Sequence, residues 1–269
     1  MDEELLEVLE FYHDSGIESI LEDDITEDNV TSDLMLQNAS VQLTSDLVPQ
    51  NTGIQRNNGT VLQESVDWVS VANKLAMECQ NLDELKQAIN LFDGCAIKKL
   101  ATNTVFSDGN PYSKIMLIGE APGANEDLEG RPFCGASGIL LDKMLNSINL
   151  NRDKVYISNT VFWRPPGNRR PSDCEINMCK PFVEKHIALV SPKILILVGS
   201  TACYALLDDQ STISRLRNKF HVYTNQFLSY PITTAVIFHP AYLLRQPMQK
   251  RLAWEDLQRI RDYLEKTLY

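Results

Sequence analysis

Three polar stretches of this chain carry side chains and backbone able to hold a small molecule and act on it. Residues 119–127 read GEAPGANED. Gly119 and Gly123 permit backbone conformations that other residues avoid, and Pro122 stiffens the turn. A turn of this kind can aim N–H groups at a carbonyl oxygen or a phosphate. Taken alone it is a weak signal, because most glycine-rich turns are only turns. It lacks the lysine of a P-loop and the GxGxxG spacing of a dinucleotide fold. The second stretch begins with Asn159 and continues to RPPGNR at 164–169. An amide offers one donor and one acceptor side by side, which suits a ligand edge with the opposite pair. The third is HPAYLLR at 239–245, opened by the imidazole of His239. No carboxylate or histidine cluster has metal-ligand spacing, which weighs against a metal-dependent nucleotide hydrolase.

The elements that must position these groups can be read from hydrophobic patterning. KIMLIG (114–119), VYISN (155–159), KILILVG (193–199) and TTAVIF (233–238) are short, continuously apolar strands. Helical segments separate them: GILLDKMLNSI, SDCEINMCKPFVEKHIALV and STACYALL. QKRLAWEDLQRIRDYLEKTL closes the chain. Ser172 and Glu175 have the spacing of a capping box. VANKLAMECQ and LDELKQAINLF form two further helices before the first strand. Apolar strands alternating with helices imply a three-layer α/β/α fold with a central, mostly parallel four-stranded sheet. Ligands bind such sheets beyond the carboxyl ends of the strands, and all three polar stretches fall there.

Charge divides the chain. The net charge is −11, which at first argues against nucleic acid. Residues 1–70 hold sixteen Asp and Glu against a single basic residue, Arg56. That leaves 20 acidic and 24 basic residues for the rest. The body is therefore mildly basic and compatible with DNA. Residues 1–21 read as a short acidic helix, 22–68 as an acidic flexible linker, and 69–269 as the ordered body. No apolar run reaches the roughly 18 residues of a membrane span, and the acidic start is unlike a secretory signal. A soluble, cytoplasmic protein is expected, with most of its six cysteines reduced thiols.

KIMLIGEAPGANEDLEGRPFCGASGILLDKML, VYISNTVFWRPPGNRRPSDCEINMC, PKILILVGSTA and FHPAYLLRQPMQKRLAWEDL stand in fixed order. Together they resemble the family 4 uracil-DNA glycosylases over about 82–262. The resemblance implies a monomer that hydrolyses the bond between deoxyribose and uracil in single- or double-stranded DNA, leaving an abasic site after flipping the base from the stack. It gives Glu120 the task of orienting water and stabilising the cationic sugar, with Glu126 a weaker candidate against the base pocket. Ala121 and Gly123 supply backbone contacts, and Phe133 stacks on the base. Asn159 reads uracil O4 and N3–H, and His239 donates to O2 as the base leaves. Leu243 becomes the wedge that fills the vacated stack. Arg164, Arg169, Arg217 and Arg245 are the phosphate contacts.

Members of this family usually carry a 4Fe-4S cluster on four cysteines. Here Cys95 and Cys179 keep two of those positions, while Phe92 and Trp163 replace the others. Two thiolates are too few for ordinary ligation, so no cofactor is expected; a cluster would need other ligands to supplement the pair. A non-catalytic DNA- or polymerase-associated module with the same fold is the alternative. The acidic leader suits a protein partner or self-masking of the basic body. A covalent base-trapping variant is discounted because no basic, histidine-containing insert lies between Gly130 and Asp142.

Overall fold

A computed structural model describes residues 66–207, 209 and 211–267. The acidic helix and nearly all of the linker read from the sequence lie outside the described residues. Residues 66–68, assigned above to the linker, lead instead into a helix. Asp67 caps it by accepting from the backbone of Val69 and Ser70 at 3.1 and 3.2 Å.

That helix, α1 (Trp68–Glu78), is followed by α2 (Leu82–Leu91). The sheet then begins with β1 (Asp108–Gly109) and β2 (Ile115–Gly119), followed by α3 (Ala124–Glu129) and α4 (Ala136–Asn146). Next come β3 (Tyr156–Asn159), α5 (Asp173–Val190), β4 (Ile194–Val198), α6 (Ser200–Leu207) and α7 (Ile213–Leu216). The chain continues through β5 (His221–Tyr223), β6 (Ile232–Ile237), α8 (Pro240–Arg245) and α9 (Lys250–Thr267). The capping box at α5 forms as its spacing predicts: Ser172 Oγ accepts from Glu175 N, and Glu175 Oε2 accepts from Ser172 N at 2.8 Å.

The strands are ordered β1-β3-β2-β4-β6-β5. The four apolar segments expected as strands are the parallel centre, β3-β2-β4-β6. The sheet has six strands rather than four, because β1 and β5 add short antiparallel edges. Neither edge has a continuous apolar run, since each borders only one neighbour and is partly exposed. GEAPGANED also departs from a plain loop, because its last residues enter α3.

Alternate residues of each central strand feed opposite faces. Met116, Ile118, Leu195 and Leu197 pack with α1, α2, α5 and α6 in one core. Ile115, Leu117, Ile194 and Ile196 pack with α4, α8 and α9 in the other. Connections from β2 lead to β3 on one side, and those from β4 lead to β6 on the other. The strand order thus reverses between β2 and β4, where a crevice opens beyond the strand ends.

Candidate active site

A cavity of about 1050 Å³ occupies that crevice. Glu120 enters it from the end of β2, Asn159 from β3, Gly199 from β4 and His239 from β6. Phe133 lines it from the segment before α4. The three polar stretches picked out by sequence therefore meet at one edge.

Gly119 makes the meeting possible. A Cβ there would sit 2.5 Å from Asn159 Oδ1 and 2.5 Å from Phe133 Cζ, so any larger residue would displace both. Asn159 is buried, with 2% of its surface exposed. Its side chain makes no hydrogen bond with the described residues, and it lines the cavity. Its amide atoms are not among the sealed, unpartnered polar atoms of the core, so donor and acceptor stand open to the cavity for a ligand bearing the complementary pair.

His239 caps α8: its Nδ1 accepts from Ala241 N at 3.2 Å. Burial, and then the positive charge of Arg245, lowers its pKa to about 4. The ring is therefore neutral near pH 7. With Nδ1 occupied as an acceptor, the proton must reside on Nε2. The imidazole stacks with Phe133, their centroids 5.6 Å apart. Gly199 adopts φ +95°, and a Cβ on it would lie 3.0 Å from His239 Cβ. This turn brings β4 close under the histidine without side-chain interference.

Glu120 Oε2 accepts from Thr201 Oγ1 at 2.6 Å. Its backbone oxygen accepts from the Thr160 hydroxyl at 2.5 Å. Thr201 was missed by sequence reasoning, although it stands in the polar STA segment just beyond β4. Glu126 is a structural knot rather than a free carboxylate. It accepts from Gly123 N at 3.0 Å, Cys134 N at 2.9 Å and Gly135 N at 3.0 Å, tying two walls of the cavity together. Gly123 N–H is spent on that knot, so its expected ligand contact does not come from this donor. Ala121 lines the cavity as expected.

Two expected DNA contacts are misplaced. Leu243 is 1% exposed and packs in the core between α8 and the sheet, so it is not poised as a wedge. The helical spacing that put it four residues after His239 also turned it inward. Arg217 is 5% exposed and donates to Asp256 Oδ1 at 2.6 Å, beneath α9. It is a buried ion pair, not a phosphate contact. Arg169 and Arg245 line the cavity. Arg169 forks onto Glu175 at 2.9 and 2.6 Å, and Arg164 Nε donates to Asn168 Oδ1 at 2.7 Å. These bonds shape the turn at 165–170. Ile139 supplies an apolar side chain, 57% exposed, at the cavity edge.

The remnant cluster positions lie in the first core. Cys95 and Cys179 are fully buried, and each thiol shifts the titration of the other. The neighbouring thiol lowers the Cys95 pKa; together with burial it raises that of Cys179. Phe92 packs edge-on to Phe182 at 5.2 Å, and Trp163 Nε1 donates to Thr104 Oγ1 at 3.0 Å. Among the described residues no three His, Cys, Asp or Glu side chains gather as metal ligands. The residues present do not fit a four-cysteine cluster.

An α/β sheet with carboxylate, amide, imidazole and aromatic ring converging on its switch-point crevice defines a protein built to bind and act on a planar, hydrogen-bonding ring. The chain belongs to the uracil DNA glycosylase superfamily, whose family model matches residues 106–258. It is similar to the Type-4 uracil-DNA glycosylase of Sulfurisphaera tokodaii, 36% identical over 187 residues, covering 68% of this chain and 84% of the relative. The protein of the same name from Saccharolobus solfataricus is 36% identical, covering 68% and 87%. That from Archaeoglobus fulgidus is 35% identical, covering 67% and 92%. No helix among the described residues is long and apolar enough to cross a membrane.

Proposed function

We propose that this protein is a uracil-DNA glycosylase that hydrolyses the C1′–N1 bond of deoxyuridine in DNA, releasing free uracil and leaving an abasic site. One observation carries the assignment of roles. The unpaired amide of Asn159 and the neutral His239 face one cavity beside Phe133. The Asn159 NH₂ donates to uracil O4 and its carbonyl accepts from N3–H; cytosine reverses both groups. Phe133 stacks on the extruded ring. His239 Nε2–H donates to O2 and stabilises the negative charge that the departing base acquires. Glu120, fixed by Thr201, orients the water that attacks C1′ and stabilises positive charge on the sugar. The C1′–N1 bond breaks with its electron pair leaving on the base, the water oxygen bonds to C1′ and gives up a proton to solvent, and the released uracil anion takes a proton from solvent. Arg245, Arg164 and Arg169 edge the face that meets the phosphates of single- or double-stranded DNA.

The non-catalytic alternative is not favoured: three relatives covered over more than four-fifths of their length carry the glycosylase name, and the reactive groups are present. The test is release of free uracil from uracil-containing oligonucleotides, single- and double-stranded. Intact substrate across a range of salt and pH with correctly folded protein would refute the assignment.

The enzyme works without a cluster in this reading, its site filled by Phe92 and Trp163 around the thiol pair. Iron and a brown absorbance in anaerobically purified protein would contradict that. The acidic leader competes with DNA for the basic body, through charge complementarity, or recruits a protein partner. Removal of residues 1–65 then tightens DNA binding at low salt. One chain carries every site residue, which supports a monomer. A DNA substrate supports a cytoplasmic location.

A further inference from the structure

We propose that Arg152 is a positioning residue that holds the Phe133 platform in place. The inference rests on the glycosylase reading for what Phe133 stacks on. Phe133 has φ +53°, a left-handed conformation unfavourable for a bulky side chain. The local sequence gives no glycine there, so the conformation must be imposed from outside. Arg152, in the short turn before β3, imposes it. Its Nη2 donates to Phe133 O, and its Nη1 donates to Pro132 O at 3.2 Å. The guanidinium is itself fixed by two carboxylates, Asp108 Oδ2 at 2.5 Å and Asp142 Oδ1 at 2.9 Å. From the other side, the Gly138 backbone presses on the same carbonyl: a Cβ at 138 would lie 1.8 Å from Phe133 O.

Arg152 does not line the cavity; it acts only through the backbone of residues 132 and 133. A planar fork can serve four acceptors at once, which a lysine ammonium cannot. The edge strand β1, absent from the sequence reading, gains a purpose: it delivers Asp108 to this clamp.

A double-mutant cycle tests the idea. In the wild-type background Arg152→Ala should lower kcat/KM for uracil release by about ten- to a hundredfold, the range of losing a stacking platform. In a Phe133→Ala background the same change should cost less than about twofold, since the platform is already gone. Arg152→Lys should fall between. An equal loss in both backgrounds overturns the proposal. Hydrogen exchange over residues 131–137 should quicken in Arg152→Ala while the central strands stay protected. That measurement stands even if the wild-type chain releases no uracil, an outcome that would refute the glycosylase reading and leave the clamp to be judged by exchange alone. Unchanged exchange there overturns the clamp. If Arg152→Ala does not fold, Asp142→Asn, which loosens one anchor, should give the same non-additive pattern at smaller size; additive losses with it would likewise overturn the clamp.

Discussion

Thr201 donates its hydroxyl to Glu120 Oε2 at 2.6 Å, joining the first turn of α6 to the end of β2. The bond fixes the carboxylate plane and leaves Oε1 for a water molecule. A hydrogen bond to a charged group contributes about 1.5–3 kcal/mol. Thr201→Val should therefore lower kcat by about ten- to a hundredfold while KM changes less than about twofold, because the water matters only as the bond breaks. Thr201→Ser should recover most of the rate. Steady-state kinetics on a single-stranded uracil substrate decide it, and a matching rise in KM would place Thr201 in substrate binding instead.

His239 is neutral with its proton on Nε2, because Ala241 N–H occupies Nδ1 and burial holds the pKa near about 4. Protonation of Nδ1 would set two donors face to face and release the cap of α8. The pH profile of kcat/KM should therefore be flat from about pH 6 to 8 and fall only as the pH approaches about 4. An inflection near 6.5 would show an ordinary, solvated histidine. Removing the donor with His239→Ala should cost about 10²–10³ in kcat.

The Asn159 amide faces the cavity with both its donor and its acceptor unspent. Asn159→Asp removes the donor and adds charge while keeping the shape. Uracil release should drop by about 10² or more, since a site built to hydrogen-bond strongly rejects the mismatched partner. The ratio of uracil to cytosine excision should fall with it. An unchanged ratio would move base recognition to other groups on the cavity wall.

How far the sequence went depends on where the information lies. The apolar runs of β2, β3, β4 and β6 fixed the parallel centre, because buried strands need little else. Asn159, Glu120 and His239 were legible because each ends such a run. The edge strands β1 and β5 were not, since a two-residue or half-exposed strand is made by its neighbour. Leu243 and Arg217 were misjudged for one reason: a motif gives residue type and order, but not which side of a short helix meets the core. Arg152 and Thr201 act through a carbonyl and a carboxylate far away in sequence, contacts visible only after folding. Glu126 was in the right place with the wrong task, because a carboxylate that accepts three backbone N–H bonds looks in sequence like one that accepts none.

His186 is fully buried, stacked on Phe106 at 4.3 Å, with Nδ1 lacking a partner. Burial lowers its pKa to about 3. In the unfolded chain the ring titrates near 6.5, so between those values the unfolded state binds the extra proton. His239 adds to the same imbalance down to about 4. Stability from both is complete above about pH 6.5 and lost as the pH falls toward about 3. Thermal melts should show Tm declining through that window. His186→Phe should flatten the decline, since Tyr156 keeps its bond to Ser107 at 2.7 Å. A slope unchanged by the substitution would assign the acid sensitivity to other groups.

Burial of Leu243 separates two effects that the motif had merged. Its side chain fills the core under α8, so Leu243→Ala should lower stability by about 2–5 kcal/mol and leave the preference between single- and double-stranded substrates unchanged. Ile139 places an exposed apolar side chain at the cavity edge, which makes it the residue to test for filling the gap left by a flipped base. A duplex needs that gap filled, whereas a single strand, already unstacked, does not. Ile139→Ala should therefore reduce excision from double-stranded DNA several-fold, by the roughly 1–3 kcal/mol scale of a stacking contact, and spare the single strand. If Leu243→Ala shifts that ratio and Ile139→Ala does not, α8 must leave the core when the enzyme engages a duplex.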